Sequence, residues 1–148
     1  MTTDIEIAKG ELSSEVTCVV VRDGVILHTA SGIGVKPLLA IFDANKADLE
    51  NASVADTVIG KAAAVILVLG KAKEVHGKVM SRSAADYLVR HGVNCSCLEL
   101  VPLISNRTGD GMCPLEQSVS DIESPEAAIA ALREQIKILM SAKSAQTK

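Results

Sequence analysis

A chain of 148 residues and 15.5 kDa, 48% hydrophobic and 22% charged, has the length and composition of one ordinary globular domain. Its net charge of −3 argues against general nucleic-acid binding, and Phe42 and Tyr87, its only aromatic side chains, make no platform for stacking bases. The longest apolar run, Ala62 to Leu69, is too short to span a bilayer, and the start of the chain lacks a signal-peptide pattern; the cytoplasm is the default address, with Cys18, Cys95, Cys97 and Cys113 as free thiols.

Ile5, Ala8 and Leu12 share one helical face and predict a short first helix. Val16 to Arg22 is β-rich, Asp23-Gly24 is a two-residue hairpin turn, and Val25 to Thr29 is the return strand. Ser31-Gly32-Ile33-Gly34-Val35-Lys36-Pro37 is a glycine loop that enters a helix from Leu38 to Asn45, with Pro37 in its first turn. Such a loop can cradle an anion with its amides, but it lacks the full spacing of a phosphate loop and reads as a structural turn.

Ser53-Val54-Ala55-Asp56 resembles a capping box and predicts a helix from there to about Leu69, apolar all round in its second half, with Gly70 as its stop. Val75 to Met80 is a strand. Ser81 caps a helix from Arg82 to Arg90 that Gly92 ends, and Asn94 to Val101 is a strand closed by Pro102. Ser124-Pro125-Glu126 starts a last helix with the stripe Ile129, Leu132, Ile136 and Leu139. From Lys143 onward a frayed or disordered tail is expected. The whole of 1–148 reads as one domain. The order implies an α/β fold of three layers, α/β/α, its mixed sheet combining an antiparallel hairpin with parallel strands.

The densest stretch is Asn106-Arg107-Thr108-Gly109-Asp110-Gly111-Met112-Cys113-Pro114-Leu115-Glu116. Pro114 suits the first position of a helix, which puts Cys113 at the N-cap and Glu116 where a carboxylate can reach back to the cap. A thiol against unpaired amides and the positive helix end favours thiolate. The plainer reading is a glycine loop entering a helix whose cap happens to be Cys.

The element order resembles the cytidine-deaminase-like fold. Four stretches resemble, more narrowly, a bacterial and archaeal family of unknown function assigned to that fold. They are Gly34-Val35-Lys36-Pro37-Leu38-Leu39, Gly60-Lys61-Ala62-Ala63-Ala64, Val101-Pro102 and Asn106-Arg107 with Gly111-Met112-Cys113-Pro114-Leu115-Glu116. The resemblance implies the fold, yet the chemistry does not carry over intact. Zinc deaminases open their first core helix with His-x-Glu or Cys-x-Glu, and the next, after the third strand, with Pro-Cys-x-x-Cys. On the predicted elements these positions fall near Gly60-Lys61-Ala62-Ala63 and Met80-Ser81-Arg82-Ser83-Ala84, which hold no such ligands. No metal and no other cofactor is expected.

Lys61 lies beside Gly60, a short way into a helix that reads as buried. A glycine there costs about 1 kcal/mol against alanine, which suggests a close approach of backbone or ligand. A partly desolvated lysine can clamp an anion or serve as base or nucleophile; it can also simply cross the core edge and reach water. Cys95 and Cys97 point to one face of a strand and read as small core residues, as does Cys18. His28, His76 and His91 read as edge or surface histidines.

Two function classes follow. In the first, the chain binds a small, anionic or nucleoside-like ligand in a cleft near Lys61 and Cys113, with Asn106, Arg107, Gly60, Ser81 and Glu116 as contacts. In the second, it is a zinc-independent enzyme with Cys113 as nucleophile and Lys61 as anion clamp or base. No histidine sits in a context that pairs it with Cys113, which favours the first. The partner expected is a small molecule, neither nucleic acid nor membrane, with self-association left open.

Overall fold

The computed structural model describes residues 2–32, 34–105, 109 and 111–146, with side chains as far as Ser141. The elements are α1 (Asp4–Glu11), β1 (Cys18–Arg22), β2 (Val25–Ala30), α2 (Lys36–Asn45), a short 3₁₀ turn, β3 (Ser53–Ile59), α3 (Lys61–Leu69), β4 (Glu74–Ser81), α4 (Arg82–Arg90), β5 (Asn94–Val101), α5 (Pro114–Val119) and α6 (Pro125–Gln146). They form one mixed sheet in the order β2-β1-β3-β4-β5. β1 runs antiparallel to both neighbours, while β3, β4 and β5 are mutually parallel.

Each parallel step is bridged by a helix, as the length of a crossover requires. The main core lies between the sheet and α2, α3, α4 and α6, with Leu38, Ile66, Tyr87, Leu88 and Leu132 buried against Cys18, Val20, Val54 and Val75. On the opposite face a smaller core joins Ala8 of α1 to Val19, Val21 and Ala55. The alternation of Cys18 and Val20 with Val19 and Val21 between these two cores is the period-two signature of a strand buried on both faces. No helix among the described residues is long and apolar enough to cross a membrane.

The expected helix from Ser53 is the main correction. Residues 53–59 are the central strand β3, and the helix begins only after Gly60. Val54, Thr57, Val58 and Ile59 are β-branched and pack better on a pleated surface than in a helical turn. Ser53 caps nothing; its hydroxyl donates to Glu74 Oε1 at 2.8 Å. His76 also departs from expectation: it is 3% exposed on interior strand β4, its Nδ1 2.8 Å from Ser96 Oγ. At the C-terminus α6 continues through Gln146, across the start of the expected tail.

This topology collects the helix starts at one edge. Because β2 and β3 both run opposite to β1, the carboxyl ends of β2, β3 and β4 share an edge, and α2, α3 and α4 begin there. Open α/β sheets bind ligands outside the carboxyl ends of their strands.

Candidate functional site at the carboxyl edge of the sheet

With β3 in place, the helix after the third strand is α3 and the first core helix is α2. The expected deaminase positions therefore move back by one helix, to Lys36-Pro37-Leu38 and Lys61-Ala62-Ala63. Neither start supplies His, Cys or Glu, so these residues do not fit the zinc that the fold resemblance implies. Among the described residues no group of three His, Cys, Asp or Glu is placed to hold a metal.

Gly60, Lys61 and Glu116 do come together. Glu116 does not reach back to its own helix. Its two carboxylate oxygens accept from the first amides of α3, Lys61 N–H at 2.7 Å and Ala62 N–H at 3.0 Å. Those amides are the unpaired donors of a helix start, and a carboxylate there also meets the positive end of the dipole. Gly60, the N-cap, has no side chain to do this, and a Cβ at that position would overlap the Glu116 carboxylate. The anion that glycine admits is thus the chain's own. Burial pushes the Glu116 carboxyl up, against the pull of the two amides and of Lys61.

Lys61 is 5% exposed. Its ammonium donates to Ser120 O at 3.1 Å and lies 5.2 Å from the centre of the Tyr87 ring. Together, Lys61 and Glu116 tie α5 to α3. Ser81, 1% exposed, is spent in the same way as the N-cap of α4, where its hydroxyl accepts from Ala84 N–H at 3.1 Å.

Cys113 is the N-cap of α5, as expected, but its side chain makes no cap hydrogen bond. Its amide donates to Ile104 O at 2.9 Å, and Ser105 pairs with Met112, which pins the base of the connecting segment. The thiol is half-buried. Asn106 and Arg107 lie outside the described residues.

A cavity of about 220 Å³ opens elsewhere on this edge, lined by Thr17, Gly32, Gly34, Asp56, Thr57 and Val58. It lies between the loop that starts α2 and the end of β3 that leads into α3. Ala30, Cys18 and Asp56 pair across β2, β1 and β3 as one row. The two glycines are there for backbone reasons. Gly34 has φ +71° and Gly32 φ +150°, and a Cβ on Gly32 would come within 2.8 Å of the Pro37 ring.

Asp56 is the polar residue of this cavity that the sequence did not single out. It is 6% exposed on a central strand. Burial pushes its carboxyl from 3.8 up to about 7, against the opposing pull of the nearby Val58 and Thr57 amides and the Cys18 thiol. A buried carboxyl in a concavity with so raised a pKa is a mark of functional sites. The only signal in the sequence is an acid within the otherwise apolar and β-branched run 53–59, and the capping-box reading concealed it. A wider depression of about 380 Å³, bounded by Lys46, Glu50 and Lys71, lies at the far end of α3 and has no buried polar group.

Comparison with known proteins adds the following. The profile of a family described as a domain of unknown function, DUF1893, matches residues 7–136. The crystal structure of a DUF1893 family protein from Thermotoga maritima is similar with a TM-score of 0.70 and 29% identity, over 86% of this chain and 80% of that one. A dCMP deaminase from the cyanophage S-TIM5, in apo form, gives a TM-score of 0.43 and 16% identity, over 58% of this chain and 79% of that one. No curated protein matches the chain in sequence.

Proposed function

We propose, for a chain that belongs to the DUF1893 family of domains of unknown function, that it binds a small polar molecule in the cavity walled by Asp56. One observation carries this reading: a nearly buried carboxyl forms part of a concavity of about 220 Å³ at the carboxyl edge of the sheet, whose lining among the described residues holds no cationic side chain. Left empty, such a group only costs stability, because burying an unpaired charge or forcing its neutralisation is unfavourable.

On this reading the ligand sits at Asp56 and not in the expected cleft at Lys61 and Cys113. Gly60 and Glu116 shape the start of α3, which follows β3 directly. Since Glu116 already occupies the amides at that helix start, an anionic ligand has no vacant seat there. The Asp56 carboxylate repels one at the cavity. A neutral nucleoside-like molecule or a cation suits the wall better.

The test is a thermal-shift screen of nucleosides, nucleotides, sugar phosphates and small amines on the parent chain and on Asp56→Asn. Stabilisation by a neutral or cationic compound that disappears in Asp56→Asn supports the site. A hit that Asp56→Asn leaves intact but Lys61→Met abolishes would return the site to Lys61.

A further inference from the structure

The residues that wall the Asp56 cavity have few side-chain protons to give. Thr17 Oγ1 donates to Ala30 O at 3.4 Å, and Thr57 Oγ1 donates to Thr17 O at 3.5 Å. With its one proton turned to backbone, each hydroxyl keeps only lone pairs for anything else. Asp56 has the Val58 and Thr57 amides and the Cys18 thiol near it, but the Thr57 amide is spent on Thr17 O at 3.0 Å. A carboxylate has room for about four hydrogen bonds, so an acceptor position is left on a group that borders the cavity. The remaining lining, Gly32, Gly34 and Val58, carries no charged side chain.

We propose that the molecule held against Asp56 is a small primary amine bound as its ammonium, with its N–H donors on the Asp56 carboxylate and on acceptors of the surrounding wall. This rests on the reading of the cavity as the ligand site and names the chemistry of that ligand. An ammonium has three donors and no acceptor, the complement of this wall. It also brings the positive charge that a desolvated carboxylate lacks, and a charge-assisted hydrogen bond is about twice as strong as a neutral one. Val58, 39% exposed at the rim, offers apolar contact to the carbon part of such a molecule. The volume suits a compound of a few carbon atoms rather than a polymer. The raised pKa of Asp56 agrees with the geometry, since it reports a carboxylate with no cation beside it.

The experiment titrates the full chain at pH 8 with three matched probes, n-propylammonium, 1-propanol and propionate, while following the backbone amide resonances of Gly32, Gly34, Thr57 and Val58. Propylammonium is expected to shift these resonances saturably, and the other two probes are not. Asp56→Asn should weaken the propylammonium response by roughly tenfold or more, the loss of one charge-assisted bond. An amide spectrum of Asp56→Asn that keeps the dispersion of the parent guards against a folding effect of this variant. Saturable shifts with propanol or propionate but not propylammonium would overturn the amine and leave the cavity standing as a ligand site. Propylammonium binding that survives Asp56→Asn also overturns the proposal. No response from any probe overturns the amine and leaves the thermal-shift screen to judge the cavity.

Discussion

An acid that is 6% exposed on a central strand, with its carboxyl raised from 3.8 to about 7, makes stability depend on pH in a definite direction. Between those values the folded chain holds a proton that the unfolded chain has released. Stability from this group is therefore full below about pH 4 and is lost as pH rises through 7. Asp56→Asn keeps the shape and the acceptor for the neighbouring amides but has no charge to bury. It should flatten the pH dependence between 4 and 7 and raise stability at pH 8 by about 1–3 kcal/mol. Urea unfolding of both proteins at pH 5 and pH 8 checks this, and equal slopes in parent and variant would contradict it. Gly60 behaves in the opposite sense. Its backbone is extended, so the constraint is space rather than φ, and the space is filled by the Glu116 carboxylate. Gly60→Ala should cost about 1–3 kcal/mol by overpacking. Combined with Glu116→Ala the loss should be less than the sum of the two, because the second change removes the atoms that the new methyl meets. Strict additivity in a double-mutant cycle would show that the clash is not the cause.

At the scale of elements, the hairpin around Asp23-Gly24, the helix capped by Ser81 and the strand 94–101 were legible because local signals and tertiary environment agree there. Residues 53–59 were not, because Ser53 and Asp56 imitate a helix start while Val54, Thr57, Val58 and Ile59 vote for a strand. The sheet decides between them, since β3 has a ladder partner on each side. The same competition explains Glu116. Three residues beyond the N-cap, it satisfies the local capping rule, yet the bare end of α3 offers two amides that a single carboxylate can bridge. The close approach inferred at Gly60 was legible, and its occupant was not, because the pair is separated by 56 residues of chain. If Glu116 is what joins α5 to α3, Glu116→Ala should cost about 1–3 kcal/mol, the usual penalty for leaving buried donors unpaired. Hydrogen exchange at the Lys61 and Ala62 amides should accelerate more than at the middle of α3. Glu116→Gln, which retains one acceptor, should fall between. Uniform acceleration along α3 would mean that the contact is incidental to the helix start.

Over the whole molecule, the four thiols lie in different settings and so report on different openings of the fold. Cys18 is fully buried on β1, and burial together with Asp56 pushes its thiol well above 9.0. Cys95 is raised by burial as well, and both it and Cys97 pack against the main core from edge strand β5. Cys113 stands outside that core, half-buried at the start of a short helix, with no hydrogen bond from its side chain to the cap. Brief iodoacetamide treatment near neutral pH is expected to modify Cys113 first, then the two β5 cysteines, and Cys18 last. Because β1 lies between β2 and β3, exposing Cys18 requires the sheet itself to come apart. Its rate should track global stability, falling in any variant that raises resistance to urea, whereas the Cys113 rate should be indifferent to it. Asp56→Asn supplies the comparison. At pH 8 that variant should protect Cys18 and leave Cys113 unchanged, and peptide mass spectrometry over a time course reads both at once. Cys18 labelled as fast as Cys113 in the parent chain would show that β1 opens locally, and Asp56, its partner on β3, would then lose that neighbour with it.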